Sequence, residues 1–262
     1  MLAAHPLPAF ADNYIWLIED GHGRAVIVDP GDAAPAIAAL QERHLALAAI
    51  LVTHHHADHV GGVDDLRSCY ANVPVYGPRE SPATCVTGPL GDGATIDVLG
   101  SPATVITVPG HTLDHIAYFI PGNATMAPLL FCGDALFACG CGRIFEGDAR
   151  MMYASLQRLA ALPADSRVFC AHEYTLGNID FALAVEPDNA RLQNRSETDR
   201  AARARGEPTV PSTLALELAT NPFLRAHTAG VRGAAATHAG RELTGDPDVF
   251  AVIRSWKDVF RG

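Results

Sequence analysis

The feature that most constrains this chain is a cluster of histidines directly after a short apolar run. Residues 47–53 are apolar and of strand length, which predicts a buried β-strand, and residues 54–59 then read His-His-His-Ala-Asp-His. The potential ligands in this segment are His54, His56, Asp58 and His59. Side chains two residues apart in an extended backbone point to the same side, so two of the imidazoles lie together. Three imidazoles and a carboxylate at the end of a strand are typical ligands of a divalent metal ion.

A zinc-binding helix of the His-Glu-x-x-His kind is the rival arrangement for these histidines. His55 and His59 have the required spacing, but His56 stands where that motif needs glutamate, which excludes it. An incidental run of histidines is the other alternative. Packing alone does not explain four potential ligands within six residues of a strand end, so the metal site is the better interpretation.

Three further polar residues end apolar runs in the same way. His111 follows the run at residues 104–108, Asp134 follows residues 129–132, and His172 follows residues 167–171. Each of them alone is more often a packing or surface residue than a ligand. Chemistry in α/β proteins lies at the carboxyl ends of strands, so these side chains and the histidine cluster are expected to converge on one cleft.

The rest of the chain predicts an α/β fold followed by helices. Strands are predicted at residues 13–19, 25–28, 47–53, 73–76, 95–99, 104–108, 115–120, 129–132 and 167–171, and helices at 33–44 and 151–161. Further helices are predicted at residues 176–185, 188–205, 212–220 and 246–260, with Asp246 as the cap of the last and a looser Gly/Ala stretch at 228–240 before it. We therefore expect two domains, residues 1–173 and residues 174–262.

Composition narrows the class of function. The chain has 29 acidic and 19 basic residues among 262, a formal net charge of −10, which argues against binding to nucleic acid or to an acidic membrane surface. No apolar run is long enough to span a membrane, and the amino terminus does not have the pattern of a signal peptide. The six cysteines are expected to be reduced thiols. A cytoplasmic monomer is the expectation.

The ordered set H-x-H-x-D-H, then His, Asp and His, resembles the metallo-β-lactamase superfamily. The resemblance implies a four-layer αβ/βα sandwich with a two-metal site between its sheets. It also implies how the ligands divide: one metal takes His54, His56 and His111, the other takes Asp58, His59 and His172, and Asp134 bridges both. The resemblance therefore implies two bound divalent metal ions, with zinc favoured and iron or manganese as alternatives.

A narrower resemblance is to the glyoxalase II family, the hydroxyacylglutathione hydrolases. It is carried by T-H-H-H-A-D-H-V-G-G, P-G-H-T-L-D-H, C-G-R-I-F-E-G, H-E-Y-T and P-S-T-L-A-L-E-L-A-T-N-P-F-L-R. It implies a catalytic domain followed by a helical domain that binds glutathione. The implied reaction is hydrolysis of S-D-lactoylglutathione to D-lactate and glutathione, the second step of methylglyoxal detoxification, with Asp134, Asp58 and His59 as the catalytic residues.

The same resemblance implies the substrate contacts, which are Arg143, Tyr174, Arg254 and Lys257. Two of these cations are three residues apart on a predicted helix, which places them on one face. Lys257, the single lysine of the chain, therefore falls at a predicted anion-binding position. Phe145 stands where one common form of the motif has tyrosine, so one hydrogen bond to glutathione is lost and weaker substrate binding is expected.

Three other functions compete with this one. A sulfur dioxygenase of the same superfamily, acting on glutathione persulfide with a single iron, is the nearest, but the C-terminal signature favours the hydrolase. A β-lactamase is disfavoured because no export signal is evident in the sequence. A metal-stabilised binding protein without catalysis is disfavoured because structural zinc sites are usually closed and rich in cysteine, whereas this set is His/Asp.

Overall fold

A computed structural model describes residues 1–261, which form two compact units. The first unit consists of Met1–Val108 and Asp114–Gly133. The second consists of Pro109–Leu113 and the residues from Asp134 onward. The expected domains, residues 1–173 and 174–262, stay a prediction. Among the described residues no helix is long and apolar enough to cross a membrane.

The first unit begins with a six-stranded sheet in sequence order. Its strands are β1 (Ala3–Ala9), β2 (Asn13–Glu19), β3 (Arg24–Val28), β4 (Ala46–Leu51), β5 (Val75–Pro78) and β6 (Gly88–Leu90). The first three strands pair antiparallel and the others parallel. The helices are α1 (Ala33–Glu42), α2 (Ala57–Val60) and α3 (Val63–Cys69). The sheet and helices bury a core of aliphatic side chains that includes Ile15, Leu17, Ile27, Ile50 and Leu66.

The strand β1 is absent from the sequence prediction. Its residues Pro6 and Pro8 lack the N–H that an inner strand needs, and this composition argues against a strand. The structure places β1 at the edge of the sheet, where only β2 pairs with it. An edge strand tolerates proline because one side of its backbone has no ladder to complete.

A second group of strands completes the first unit. It contains β7 (Thr95–Val98), β8 (Ser101–Thr107), β9 (Ile116–Ile120) and β10 (Leu129–Gly133), each antiparallel to the next. The buried Tyr118 of β9 donates its hydroxyl to the carbonyl oxygens of Val52 and Tyr76, at 2.9 and 3.2 Å. Its phenol therefore satisfies one backbone group directly after β4 and one within β5, while its ring fills the core.

The second unit is mainly helical. Its strands are β11 (Leu136–Phe137), β12 (Gly140–Cys141), β13 (Arg167–Cys170) and β14 (Ser212–Thr213). Its helices are α4 (Ala149–Ala160), α5 (Thr175–Val185), α6 (Ala190–Ala204), α7 (Leu214–Thr220), α8 (Ala229–Ala239) and α9 (Asp246–Val259), with a short 3-10 helix at Pro222–Leu224. Asp148, Asn189 and Thr213 accept backbone N–H groups at the starts of α4, α6 and α7, as N-cap residues do.

Two expectations for the C-terminal region are wrong. The stretch at residues 228–240 is not loose but forms α8, because the Thr228 hydroxyl caps its start and Gly240 ends it in the left-handed conformation. Its Gly/Ala composition hides one buried edge, formed by Val231 and Ala235 four residues apart. Asp246 is the first residue of α9 and not its cap; its carboxylate accepts instead from Arg232, at 2.6 Å.

All six cysteines are thiols, and only Cys69 is exposed. Burial raises the pKa of the Cys139 and Cys170 thiols to about 12, so they stay protonated and unreactive at neutral pH. We expect a thiol reagent such as Ellman's to modify one thiol per native chain and all six after unfolding. Cys69→Ser should show no fast-reacting thiol. Reaction of two or more thiols in the native protein would contradict this burial.

Candidate metal centre

The histidine motif lies where β4 ends and α2 begins. The predicted ligands of this segment, His54, His56, Asp58 and His59, are called the first cluster. His54 and His59 are fully buried. The ring centroid of His54 lies 4.7 Å from that of His56 and 4.0 Å from that of His59, and Asp58 Oδ2 lies 3.7 Å from His59 Nε2. The extended backbone before α2 and the first turn of the helix therefore bring all four side chains together.

Two residues that sequence reasoning missed hold the first cluster in place. Asp29, directly after β3, accepts from the backbone N–H and hydroxyl of Thr53, at 2.7 and 2.8 Å, and its Oδ2 lies 3.1 Å from His59 Nδ1. Asn13 donates its amide to Asp58 Oδ2, at 3.0 Å. Partners of this kind set the orientation of a ligand and the basicity of its donor atom. An acidic residue at a strand end, the signal that picked out Asp134, also marks Asp29.

A glycine lets the β3 end approach the motif. A Cβ built on Gly31 would lie 1.9 Å from the backbone oxygen of Asp58, so no other residue fits there without a shift of the backbone. Two more histidines pack at the cluster. His55 Nδ1 lies 2.9 Å from Asp114 Oδ1, and the buried His115 stacks on His54 with ring centroids 4.6 Å apart. Neither His55 nor His115 is a predicted metal ligand, although both pack beside the first cluster.

The other three predicted ligands lie together in the second unit, and His111, Asp134 and His172 are called the second cluster. All three are buried. Asp134 Oδ2 lies 3.4 Å from His111 Nε2, and Asp134 Oδ1 lies 3.4 Å from His172 Nε2. Each carboxylate oxygen of Asp134 therefore faces a different imidazole. His111 Nδ1 lies 2.7 Å from the carbonyl oxygen of Arg143 and must donate to it, which leaves Nε2 as the ligand atom.

Distances in both clusters suit a metal ion. Two ligand atoms each about 2.0–2.1 Å from a tetrahedral zinc ion lie about 3.4 Å apart. The two separations from Asp134 have this value and exceed the roughly 2.7–2.9 Å of a charge-assisted hydrogen bond. Ligand atoms of His54 lie within 4.8 Å of those of His56 and of His59. These His/Asp side chains could therefore hold metal, and donors of these types accept zinc, iron or manganese.

The predicted substrate residues all lie in the second unit. Arg254 is buried and donates to the carbonyl oxygen of Cys141 and to Asp258 Oδ1, both at 3.0 Å. Arg143 Nε lies 3.4 Å from the same oxygen of Asp258. Asp258 thus joins two cations that are far apart in the chain, and sequence reasoning missed it. The signal for it was its position four residues after Arg254 on a predicted helix, which places the two side chains on one face.

Lys257 and Tyr174 complete this group. Lys257 Nζ donates to the carbonyl oxygen of Gly177, at 2.6 Å, and lies over the ring of Phe181. Burial, and then the neighbouring charge of Arg254, lowers the pKa of Lys257 below its ordinary value. Tyr174 stacks on His172 with ring centroids 4.6 Å apart and planes 6° from parallel.

Phe145 lies beside the second cluster. Its side chain is 61% exposed, and its ring meets that of His111 edge-on, with centroids 5.3 Å apart. Its backbone N–H donates to the carbonyl oxygen of His111, at 3.2 Å. The position is therefore held by the backbone and presents an apolar ring where tyrosine would present a hydroxyl. The expected loss of one hydrogen bond to substrate stays a prediction.

Two family models match the chain in succession. The metallo-beta-lactamase superfamily model matches residues 10–172, which is more than half of the chain. The model for the C-terminus of hydroxyacylglutathione hydrolase matches residues 173–260. The first range carries the seven predicted metal ligands and Arg143, and the second carries Tyr174, Arg254 and Lys257.

Known proteins are similar over the full length. A hydroxyacylglutathione hydrolase of Pseudomonas fluorescens is 52% identical over 262 residues, covering 99% of this chain and 100% of that protein. One of Halorhodospira halophila is 52% identical over 260 residues, covering 98% and 99%. One of Xanthomonas campestris is 50% identical over 255 residues, covering 97% and 98%. Similarity of this extent includes the helical C-terminal region as well as both ligand clusters.

Solved structures share the fold. ETHE1 from Myxococcus xanthus is 23% identical with a TM-score of 0.64, covering 98% of both chains. TTHA1623 in a di-iron-bound form is 29% identical with a TM-score of 0.59, covering 84% of this chain and all of that one. These likenesses confirm the expected α/β metallo-β-lactamase fold, which is followed here by a helical C-terminal region. The chain belongs to the metallo-β-lactamase superfamily and, within it, to the hydroxyacylglutathione hydrolase family.

Proposed function

We propose that this chain hydrolyses S-2-hydroxyacylglutathione thioesters, with S-D-lactoylglutathione as the type substrate, to a 2-hydroxy acid and glutathione. One observation of the structure carries the proposal: predicted substrate residues touch predicted metal ligands. Tyr174 stacks on His172, and the carbonyl oxygen of Arg143 accepts from His111. A thioester bound by these residues therefore lies next to the second cluster. Relatives named hydroxyacylglutathione hydrolase support the same reaction.

The seven residues of the two clusters are proposed as one ligand set for two divalent metal ions. One ion would be held by His54, His56 and His111 and the other by Asp58, His59 and His172, with Asp134 shared. Zinc is favoured, and the di-iron form of TTHA1623 supports iron as an alternative. Metal ions held in this way lower the pKa of water toward neutrality and polarise a carbonyl oxygen.

The chain's own residues orient this chemistry. The carboxylate of Asp29 faces His59 Nδ1 and the carbonyl oxygen of Arg143 faces His111 Nδ1, which turns both Nε2 atoms to their partners in the clusters. Asp134 presents one oxygen to each flanking imidazole, and Asp58 and His59 are proposed as catalytic with it. The leaving group is a thiolate with a pKa of about 8.5, so no side chain is needed to protonate it strongly.

The glutathione half of the substrate carries two carboxylates, and cations are proposed to bind it. Arg143, Arg254 and Lys257 lie in the second unit, two of them sharing Asp258. These three positive charges stand in contrast to the chain as a whole, which carries a formal net charge of −10. That excess also speaks against nucleic acid or an acidic membrane as partner. A cytoplasmic location is supported by six thiols, and the monomeric state stays a prediction.

The test is a thioester assay with metal analysis of protein purified without added metal. We expect loss of S-D-lactoylglutathione with one thiol released per turnover, about two equivalents of divalent metal, and loss of activity in a strong chelator. A thioester of a thiol without the two carboxylates serves as the control and should be a much poorer substrate. Oxygen uptake with glutathione persulfide, with no thioester hydrolysis, would overturn the proposal in favour of the dioxygenase.

A further inference from the structure

A short hairpin connects the metal ligand Asp134 to the substrate residue Arg143. It consists of β11 and β12 with the turn between them, residues 136–141, and is called the site hairpin. Cys139, in its turn, has a φ of +57°, a conformation that costs energy for a residue with a Cβ. A Cβ on Gly140 would lie 2.4 Å from the side chain of Asn178. The turn is therefore strained and tightly enclosed, and its surroundings must hold it.

Side chains of α7 and the residue after it hold the turn by its backbone. Glu217 Oε2 accepts the backbone N–H of Cys139, at 2.8 Å. Asn221 donates its amide to the carbonyl oxygens of Gly140 and Phe137, at 2.9 and 3.3 Å. These bonds join residues about 80 positions apart, and both side chains are fully buried. Leaving a buried backbone group without its hydrogen-bond partner costs free energy, so these two side chains select one conformation of the turn.

Two other helices act on the same hairpin. Asn178 of α5 donates to the carbonyl oxygen of Ala138, at 3.1 Å. Arg254 of α9 donates to the carbonyl oxygen of Cys141, at 3.0 Å. Backbone groups at five consecutive residues, 137–141, are thus bonded by side chains of the helical region.

Glu217 is the centre of this arrangement. Besides the Cys139 N–H it accepts from Arg195 Nη2 at 2.7 Å, from the Ser212 hydroxyl at 2.6 Å and from the Asn221 amide at 3.1 Å. Glu217 and Arg195 are both buried. A buried ion pair contributes little net stability compared with well-packed apolar residues, since both charges lose their water. Its use here is better explained by the geometry that it imposes on the hairpin.

We propose that Glu217, held by Arg195, is a positioning residue for substrate binding: it fixes the site hairpin and through it the direction of Arg143. The proposal rests on the proposed function, because the substrate role of Arg143 does. The route is short: the bonded carbonyl of Cys141 lies two residues before Arg143, whose own carbonyl accepts from His111. Disorder in the turn would therefore reach the substrate side of the site.

Glu217→Gln tests this at constant side-chain volume. Glu217 accepts from four groups, and three of them are N–H donors. In the variant the NH₂ group of glutamine replaces one carboxylate oxygen and faces an N–H donor, to which it cannot bond. We expect faster hydrogen–deuterium exchange of the peptide covering residues 136–141 in the metal-loaded variant. We also expect KM for S-D-lactoylglutathione to rise about tenfold, with kcat within about threefold and metal content unchanged.

Glu186→Gln is the matched control. Glu186 is a buried glutamate of the same unit whose carboxylate accepts from Arg225, at 2.7 and 3.0 Å. Its replacement should lower Tm while hairpin exchange and KM stay at the wild-type values. Equal falls in Tm for both variants, with hairpin exchange and KM unchanged in each, would overturn the proposal.

A second variant covers the case in which Glu217→Gln does not fold. Asn221→Ala removes the bonds to Gly140 and Phe137 and leaves the Arg195–Glu217 pair intact, so it should give the same rise in exchange and KM. Wild-type values in this variant would also count against the proposal. The exchange measurement separates the two proposals: a wild-type chain without thioesterase activity refutes the proposed function, whereas unchanged hairpin exchange refutes the role of Glu217.

Discussion

Replacing Asp134 with asparagine is expected to lower kcat for S-D-lactoylglutathione by about 1,000-fold or more. The physical reason lies in its two oxygens, each of which faces one imidazole Nε2 at 3.4 Å. An asparagine keeps one oxygen but presents an NH₂ group on the other side, which cannot bind a metal, and it removes a negative charge from between the two proposed metal sites. Loss of several kcal/mol of transition-state stabilisation corresponds to a change of this size.

The measurements are kcat, metal content and thermal unfolding, taken on the same preparation. Metal content should fall together with kcat, whereas the folded state should persist because the fold does not depend on one carboxylate. Asp148→Asn is the control: Asp148 is an exposed aspartate of the same unit that caps α4, and asparagine caps a helix equally well. That variant should keep wild-type activity. Near-normal turnover by Asp134→Asn would remove Asp134 from the catalytic set.

Replacing Lys257 with methionine is expected to raise KM by about 10- to 100-fold with little change in kcat. A hydrogen bond between charged groups contributes about 1.5–3 kcal/mol, which is this range of affinity. Methionine retains much of the apolar stem over the Phe181 ring and loses only the cation. Since the predicted contact is to the glutathione half and not to the reacting carbonyl, ground state and transition state lose it equally.

The pH dependence of KM gives a second readout of the same variant. The pKa of Lys257 is lowered by burial and by the charge of Arg254. The protonated form binds an anion, so KM of the wild-type enzyme should rise as the pH increases through this lowered pKa. In Lys257→Met that rise should be absent, and the two KM values should converge at high pH. A parallel rise in both proteins would assign the titration to another group.

The control for Lys257→Met is an exposed cation of the same unit. Arg241 pairs with Asp248 in an exposed bidentate ion pair, at 2.8 and 2.7 Å. Arg241→Met changes the net charge by the same amount and should leave KM within about twofold of wild type, since the effect of a screened surface charge is small. A KM for Lys257→Met within the same margin would refute its role in binding.

The sequence predicted most of the strands that carry the metal centre, because an apolar run followed at once by a ligand residue is a local signal. His54, His111, Asp134 and His172 each follow a strand in the structure. It did not predict β1, whose Pro6 and Pro8 fit only an edge position, nor α8, whose single buried edge is hidden in small residues. Edge position and burial belong to the packed chain, and local composition does not encode them.

The site was less predictable where its parts come from distant segments. Asn13 donates to Asp58, 45 positions away, and Thr53 donates to Asp29, 24 positions away. Asp258 bonds both Arg143 and Arg254, although nothing in the spacing of the first arginine indicates it. Asn13 carries no motif of its own, since an asparagine becomes a partner only through the neighbour that the fold supplies.

The sequence by itself determined the donor types of the metal centre, their order along the chain and the cations near the C-terminus. Those are properties of residue identity and short-range spacing. The tertiary structure alone decided which nitrogen of His59 and of His111 faces its cluster, since Asp29 and the Arg143 carbonyl occupy the other. It also decided that Glu217 and Asn221 hold the turn at Cys139. The orientation of a polar group depends on its hydrogen-bond partners, and here folding brings those partners from distant parts of the chain.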